Sequence, residues 1–138
     1  MEQRQAITAF VRRDGRILLV RRSNQVGSFQ GFWSGISGYL EGEPLTHALR
    51  EILEETGIPS LDLVLVHQAD PVDIADRVRV GIVWRIHPFL FDLTSQRQVQ
   101  LDWENDELRW ILPQELGDYQ TVPGLDRILS ACLCDSGA

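Results

Sequence analysis

The fold is decided by one stretch of nine residues, Arg50-Glu51-Ile52-Leu53-Glu54-Glu55-Thr56-Gly57-Ile58. Its three carboxylates, Glu51, Glu54 and Glu55, stand at positions i, i+3 and i+4. Because a helix turns about 100° per residue, this spacing gathers them within one sector of roughly 100°. Two carboxylates about 4 Å apart repel by on the order of 4 kcal/mol at an effective dielectric constant near 20, so the cluster must be protonated, paired with arginine or neutralised by a cation. Oxygen-only ligands of this kind select hard ions, chiefly Mg²⁺ or Mn²⁺.

The flanking residues predict that this stretch lies on an amphipathic helix over residues 44–56. Pro44 suits the first turn of a helix, and Gly57 suits a helix stop. The predicted apolar face comprises Leu45, Ala48, Leu49, Ile52, Leu53 and Thr56. On its own, an acidic helix face is usually a solvated surface. Here, however, a glycine-rich irregular stretch over residues 23–43 leads directly into the helix, and irregular stretches of this length are usually functional.

Other patterns predict strands on both sides of the helix. Apolar segments at residues 6–12 and 16–22 flank Asp14-Gly15, a pair that suits the tight turn of a β-hairpin. The remaining predicted elements are strands at 61–68, 77–91 and 108–111 and a closing helix at 123–134. Mixed strands around a central helix favour an α+β or α/β sandwich. The length and the absence of a linker or repeat predict a single domain over residues 1–138.

The nine-residue stretch resembles half of the Nudix box, the signature of the Nudix hydrolase superfamily. It fits every position of the R-E-U-x-E-E-x-G-U segment, where U is a bulky aliphatic residue. Upstream, Gly38, Glu43 and Arg50 have the spacing G-x4-E-x6-R, whereas the family has G-x5-E-x7-R. The loop before the helix is therefore two residues short. The resemblance extends to the hairpin that ends at Arg22 and to residues 104–116.

The resemblance implies a Nudix-type α/β/α sandwich with a mixed β-sheet and a central catalytic loop and helix. It also implies hydrolysis of the diphosphate linkage in a nucleoside diphosphate joined to another group, with Mg²⁺ or Mn²⁺ as cofactor. Metals that bridge diphosphate oxygens neutralise charge on the leaving phosphate. The implied metal ligands are Glu51, Glu54, Glu55 and the backbone carbonyl of Gly38.

The resemblance also assigns catalytic roles. Arg50 is expected to orient the helix carboxylates by pairing with Glu43 or a neighbour. Glu41 keeps the family's spacing from the upstream glycine and could substitute for Glu43. Glu104 is the expected additional carboxylate from a distant loop, acting as a metal ligand or general base, and Glu107 is the second candidate. The implied catalytic residues are Glu51, Glu54, Arg50 and Glu104.

Arginines and aromatic residues near the motif are the candidates for substrate binding. Arg21 and Arg22 end the second strand, where the family often places phosphate-binding arginines, and one of the two is expected to face the site. Trp33 and Phe29 lie in the loop that leads into the motif and could stack on a base. His47 lies on the polar face of the helix, from which it could approach the site, but a position at the protein surface is expected.

The composition argues against several other kinds of function. The chain carries 20 acidic and 13 basic residues, for a net charge of −7, and every basic residue is an arginine. The lack of lysine removes Schiff-base chemistry, and the acidic balance argues against nucleic-acid binding. No apolar run approaches the ~18 residues of a membrane span. Cys132 and Cys134 are too close together for a fold-spanning disulfide, so a reduced, cytoplasmic protein is expected.

Two functions from different classes remain open. One is a Mg²⁺-dependent diphosphohydrolase, and the other is a non-catalytic regulatory module that keeps the fold and senses a nucleotide. Loss of helix carboxylates would favour the second, but all three are present. The expected partner in either case is a small nucleoside diphosphate derivative, and a homodimer is common among proteins of this superfamily.

Overall fold

The computed structural model describes residues 1–133. Its strands are β1 (Glu2–Arg13), β2 (Arg16–Arg22), β3 (Trp33–Ser34), β4 (Ile36–Tyr39), β5 (Leu63–Gln68), β6 (Val72–Ala75), β7 (Ile82–Leu93) and β8 (Asn105–Ile111). Its helices are α1 (Pro44–Thr56) and α2 (Leu125–Leu133), with short 3₁₀ helices at Ser60–Asp62 and Pro113–Asp118. The strands form one mixed sheet in the order β3-β2-β1-β7-β5, with β4 also paired to β1, β6 to β7 and β8 to β2. The long strands β1 and β7 are parallel, and the other pairs are antiparallel.

The sheet is covered by a helix on each face. Successive side chains of a strand point to opposite faces, so β1 contributes to two separate cores. Ile7 packs in the cluster that contains Ile52 of α1, and Phe10 packs in the cluster that contains Ile128 of α2. All four side chains are buried. This three-layer arrangement confirms the predicted α/β/α sandwich with a mixed sheet.

Local signals fix both ends of α1, which matches the predicted helix at residues 44–56. The Glu43 carboxylate caps the N-terminus, because it accepts hydrogen bonds from the backbone N–H groups of Leu45 at 3.0 Å and Thr46 at 2.9 Å. Gly57 ends the helix in the left-handed region, with φ 76°, where glycine carries no steric cost. One part of the predicted apolar face is wrong, since Leu53 is 51% exposed.

The predicted strand at residues 77–91 is wrong in its first part. The chain there forms a hairpin between β6 and β7, and its loop carries Val78 and Val80 in solvent, 77% and 100% exposed. Asp76 causes this, because its Oδ1 accepts hydrogen bonds from the backbone N–H groups of Val78 and Arg79. Gly81 then completes the turn with φ 86°.

Other boundaries shift by smaller amounts. The stretch 23–43, predicted to be irregular, contains the short strands β3 and β4. The strand predicted at 61–68 begins with the 3₁₀ helix and becomes β5 at Leu63. The last predicted helix is observed from Leu125, and Cys134 lies outside the described residues. Across the described residues, no helix combines the length and apolar character that crossing a membrane requires.

Candidate functional site

Three carboxylates from two separate parts of the chain converge beside β4. Glu51 and Glu55 come from α1, where a spacing of four residues places them one above the other on the same face. Glu104 comes from the loop before β8, and its backbone oxygen accepts a hydrogen bond from Ser23 N–H at the end of β2. One carboxylate oxygen from each glutamate lies within 4.8 Å of the others. Glu104 therefore lies beside two of the helix carboxylates, Glu51 and Glu55, and its role as a ligand or general base stays a prediction.

Glu55 is the most buried member of this carboxylate cluster, with 2% of its surface exposed. Asn105 Nδ2 donates a hydrogen bond to its Oε1 at 2.9 Å, whereas its buried Oε2 has no partner among the described residues. Burial, together with the charge of Glu104, raises the pKa of Glu55 well above its usual range. Burial and the nearby Asp102 raise the pKa of Glu104 to about 7. The negatively charged form of these carboxylates is therefore unfavourable unless a cation neutralises it.

A hard divalent cation fits this set of donors. All three side chains offer only oxygen, which Mg²⁺ and Mn²⁺ prefer over nitrogen or sulfur. The unpartnered Oε2 of Glu55 is a buried acceptor that a cation would satisfy. A cation would also offset the mutual repulsion of the three groups. The cluster therefore suits a divalent cation, and it includes Glu51 and Glu55 of the predicted ligand set but not Glu54.

Gly38 allows β4 to approach the carboxylate cluster closely. A Cβ atom at this position would lie 3.0 Å from the carboxyl group of Glu51, which is tighter than an ordinary contact. Glycine thus leaves room for Glu51 to lie against β4. The role of the Gly38 carbonyl as a metal ligand stays a prediction.

Two of the predicted residues on α1 lie at the edge of the site. Glu54 is exposed and is not part of the carboxylate cluster, although its charge contributes to the raised pKa of Glu104. Arg50 Nη2 lies 3.7 Å from Glu41 Oε1, and both side chains are largely exposed. The expected partner Glu43 is occupied as the helix cap, so Glu41 is the neighbour that pairs with Arg50.

The two arginines at the end of β2 point in different directions. Arg21 pairs with Asp106 at 2.9 Å and Glu107 at 3.0 Å and does not line the cleft beside the carboxylates. Arg22 lines that cleft and is half-buried, and its Nε donates to the backbone oxygen of Ser28 at 2.9 Å. Burial lowers the pKa of Arg22, while the charges of Glu55 and Glu104 oppose this effect. Arg22 is thus the arginine placed at the site.

The two predicted aromatic residues, Trp33 and Phe29, differ in their position relative to the cleft. Trp33 packs edge-to-face on Tyr119, with ring centroids 5.2 Å apart, and the guanidinium of Arg109 lies over it at 5.6 Å. It is outside the residues that line the cleft. Phe29 does line the cleft and packs edge-to-face on Phe32 at 5.5 Å. Of the two, Phe29 is placed to meet a bound molecule.

The cleft extends from the carboxylates across the sheet and has a volume of about 750 Å³. Its lining includes Tyr39 and Trp84, whose rings stack with centroids 5.4 Å apart and an interplanar angle of 23°. Trp84 Nε1 donates a hydrogen bond to Asp76 at 2.9 Å, which fixes the ring. This aromatic pair is absent from the residues that the sequence predicts for the site. Tyr39 adjoins Gly38 in the motif, and that adjacency was the available signal.

The prediction that His47 lies at the surface is wrong. The side chain is 2% exposed, because the loop before α1 covers it. His47 Nε2 lies 3.1 Å from Glu51 Oε2, and its Nδ1 accepts a hydrogen bond from Glu41 N–H at 3.4 Å. A buried histidine therefore contacts one of the three cluster carboxylates.

Comparison with known proteins adds independent information. The model of the family described as NUDIX domain matches residues 2–132. The nucleoside triphosphatase NudI of Escherichia fergusonii is 28% identical to this chain over an alignment of 140 residues. The alignment covers 94% of this chain and 96% of that protein. An Ap4A hydrolase from C. elegans, solved as a binary complex, superposes with a TM-score of 0.76 at 16% identity and covers 93% of each chain. The NUDIX domain of Shewanella oneidensis NrtR, solved with ADP ribose, superposes with a TM-score of 0.71 at 18% identity, covering 95% of this chain and 86% of that one. At these low sequence identities, the two structural similarities show a shared fold.

Proposed function

Since the chain belongs to the NUDIX domain family, whose model matches residues 2–132, we propose that it is a Mg²⁺- or Mn²⁺-dependent hydrolase. Its reaction is cleavage of the diphosphate linkage in a nucleoside diphosphate joined to another group. The observation that carries this proposal is the convergence of Glu51, Glu55 and Glu104 within 4.8 Å of one another, beside a cleft that Glu51 and Glu104 line.

These three carboxylates would hold the cation, with Glu54 and the Gly38 carbonyl as further proposed ligands. When bound, the divalent cation would neutralise phosphate charge and activate water for attack. Glu104 also lines the cleft, so its carboxylate is placed for the proposed role of general base, which accepts a proton from the attacking water.

Two further features of the cleft suit a nucleotide. Arg22 presents a guanidinium beside the carboxylates, and arginine binds phosphate oxygens through paired N–H groups. The stacked rings of Tyr39 and Trp84 line the same cleft, and aromatic side chains bind bases by stacking. We propose that Arg22 contacts the diphosphate and that the aromatic pair contacts the base. Phe29 lines the same cleft and is a further proposed contact.

The relatives support a nucleotide substrate without selecting one. One is described as a nucleoside triphosphatase, one as an Ap4A hydrolase, and one was solved with ADP ribose. All three compounds join a nucleoside to a chain of two or more phosphates. The shared chemistry is therefore the nucleoside and its diphosphate linkage, which is what we propose for this chain.

A substrate screen tests the proposal. Purified protein is incubated with nucleoside triphosphates, dinucleoside polyphosphates and nucleotide sugars including ADP ribose, each with Mg²⁺, with Mn²⁺ or with EDTA. We expect a nucleoside phosphate product from at least one compound, only when metal is present. Saturable nucleotide binding without turnover would instead favour the regulatory module. Metal-independent turnover would contradict the proposed chemistry.

A further inference from the structure

His47 connects the loop before α1 to a carboxylate of the cluster. Its Nδ1 accepts a hydrogen bond from the backbone N–H of Glu41, so the ring proton is on Nε2. Nε2 then donates to Glu51 Oε2 across 3.1 Å. With 2% of the side chain exposed, water cannot readily replace either contact. Both ring nitrogens of the buried His47 therefore form hydrogen bonds with groups at the site.

Glu51 is held from two sides. His47 lies one helical turn before it, and β4 lies on the other side, where a Cβ atom on Gly38 would come within 3.0 Å of its carboxyl group. A glutamate side chain has several rotatable bonds, so an isolated one samples many positions. The two neighbours restrict Glu51 to the position in which it faces Glu55 and Glu104.

The shortened loop before α1 gives a reason why His47 is needed to connect this loop to the helix. The sequence from Gly38 to Arg50 lacks two residues relative to the family spacing, and Glu43 is used as the cap of α1. The ion pair between Arg50 and Glu41 is largely exposed, and exposed pairs contribute little. The buried contacts of His47 are thus the firmer connection between this loop and the helix.

We propose that His47 is a positioning residue that orients Glu51 for cation binding through the Nε2–H···Oε2 hydrogen bond. The inference rests on the proposed metal-dependent function. Groups that hydrogen-bond to metal ligands change metal affinity by roughly 10- to 100-fold when they are removed. His47 does not itself touch the cation or the substrate, so its effect is carried entirely by Glu51.

Two substitutions of similar polarity separate this role from simple packing. In His47→Asn, the shorter amide oxygen can still accept from Glu41 N–H, but the side chain does not reach Glu51. In His47→Gln, the longer amide places a donor where Nε2 stands. His87→Asn is the control, because His87 lies on β7 and contacts Gln5 away from the carboxylates.

The readout is the Mn²⁺ dissociation constant of the substrate-free protein, measured from the electron paramagnetic resonance signal of free Mn²⁺. We expect His47→Asn to raise this constant at least about 10-fold, and His47→Gln and His87→Asn to stay within about threefold of wild type. In a Glu51→Gln background, His47→Asn should have no further effect. Circular dichroism and the melting temperature verify that each variant is folded.

Each outcome bears on a defined claim. Mn²⁺ binding by His47→Asn equal to wild type would overturn the positioning role while leaving the proposed function intact. Equal weakening by His47→Asn and His47→Gln would also overturn it, because the restored donor would then be irrelevant. A wild-type protein that binds no Mn²⁺ would contradict the proposed function, and the positioning role with it. If His47→Asn does not fold, a His47→Gln variant that binds Mn²⁺ more than tenfold more weakly than wild type overturns the inference.

Discussion

Asn105 Nδ2 lies 2.9 Å from Glu55 Oε1, and this hydrogen bond joins two residues that are 50 positions apart in the chain. Asn105 begins β8 and Glu55 lies near the end of α1, so the contact ties the helix to the sheet. Both side chains are buried, with 6% and 2% of their surfaces exposed. The same contact fixes Oε1 of Glu55, whereas the buried Oε2 has no hydrogen-bond partner among the described residues.

Replacing Asn105 by alanine should therefore weaken the fold as well as the site. The substitution leaves the buried Oε1 of Glu55 without its donor, which costs about 1–3 kcal/mol of unfolding free energy. Urea denaturation of Asn105→Ala measures this loss, with Asn24→Ala as the exposed control. Equal unfolding free energies for Asn105→Ala and wild type would contradict the importance of this contact.

Gly38→Ala should impair metal binding more than stability. The added Cβ would displace the Glu51 carboxyl group, which is the movable end of a side chain, so the strand itself can stay in place. We expect Mn²⁺ affinity to fall by about 10- to 100-fold, as for other changes that misorient a ligand. Gly117→Ala is the matched control, because a Cβ there meets no atom within 4 Å. Unchanged Mn²⁺ affinity in Gly38→Ala would rule out this close approach.

Tyr39→Ala should weaken binding of the substrate's base. Stacking on an aromatic side chain contributes about 1–3 kcal/mol per base, which corresponds to a rise of about 5- to 150-fold in the dissociation constant of a nucleoside monophosphate. Tyr39→Phe keeps the ring and should bind like wild type. The measurement is isothermal titration of the monophosphate released by the best substrate. If Tyr39→Ala binds the monophosphate with wild-type affinity, the base does not stack on Tyr39.

Asp76 should make the protein less stable in acid. Its carboxylate accepts hydrogen bonds from two backbone N–H groups and from Trp84 Nε1, which hold its pKa well below the usual range for aspartate. A depressed pKa stabilises the fold above the unfolded value of about 4, and this stabilisation is lost as the pH falls toward the folded value. Wild type should therefore melt above Asp76→Asn at pH 7, and the difference should shrink below about pH 4.

Thermal melts of both proteins from pH 7 to pH 2 check this prediction. A difference in melting temperature that stays constant over the whole range would show that Asp76 acts through its shape alone.

The local parts of the fold were predictable from the sequence. Helix α1 is observed at the predicted residues because Pro44 and Gly57 act on the backbone beside them. The first hairpin was predictable for the same reason, with Asp14 and Gly15 both at positive φ in its turn. The proximity of Glu51 and Glu55 was predictable because helical spacing places residues on faces independently of the rest of the chain, whereas Glu54 lies outside the cluster.

Contacts between distant segments were not predictable in this way. The pairing of β4 with β1 places Tyr39 opposite Ala6, and the parallel pairing of β1 with β7 places Trp84 opposite Arg4, which brings the two rings together. No local signal specifies either pairing. The burial of His47 was not predictable, because a helical projection shows the polar face of α1 but not the loop that covers it.

The central claim is that Glu51, Glu55 and Glu104 hold a divalent cation that the hydrolysis requires. The most direct test is the steady-state turnover of the best substrate from the screen, with Mg²⁺, by wild type, Glu51→Gln and Glu55→Gln. We predict that each variant loses at least about 100-fold in kcat/KM, since removing one electrostatic group from an active site costs about this much. The control Glu2→Gln, which changes an exposed carboxylate on β1, should match wild type. Turnover by folded Glu51→Gln and Glu55→Gln at the wild-type rate would contradict the claim.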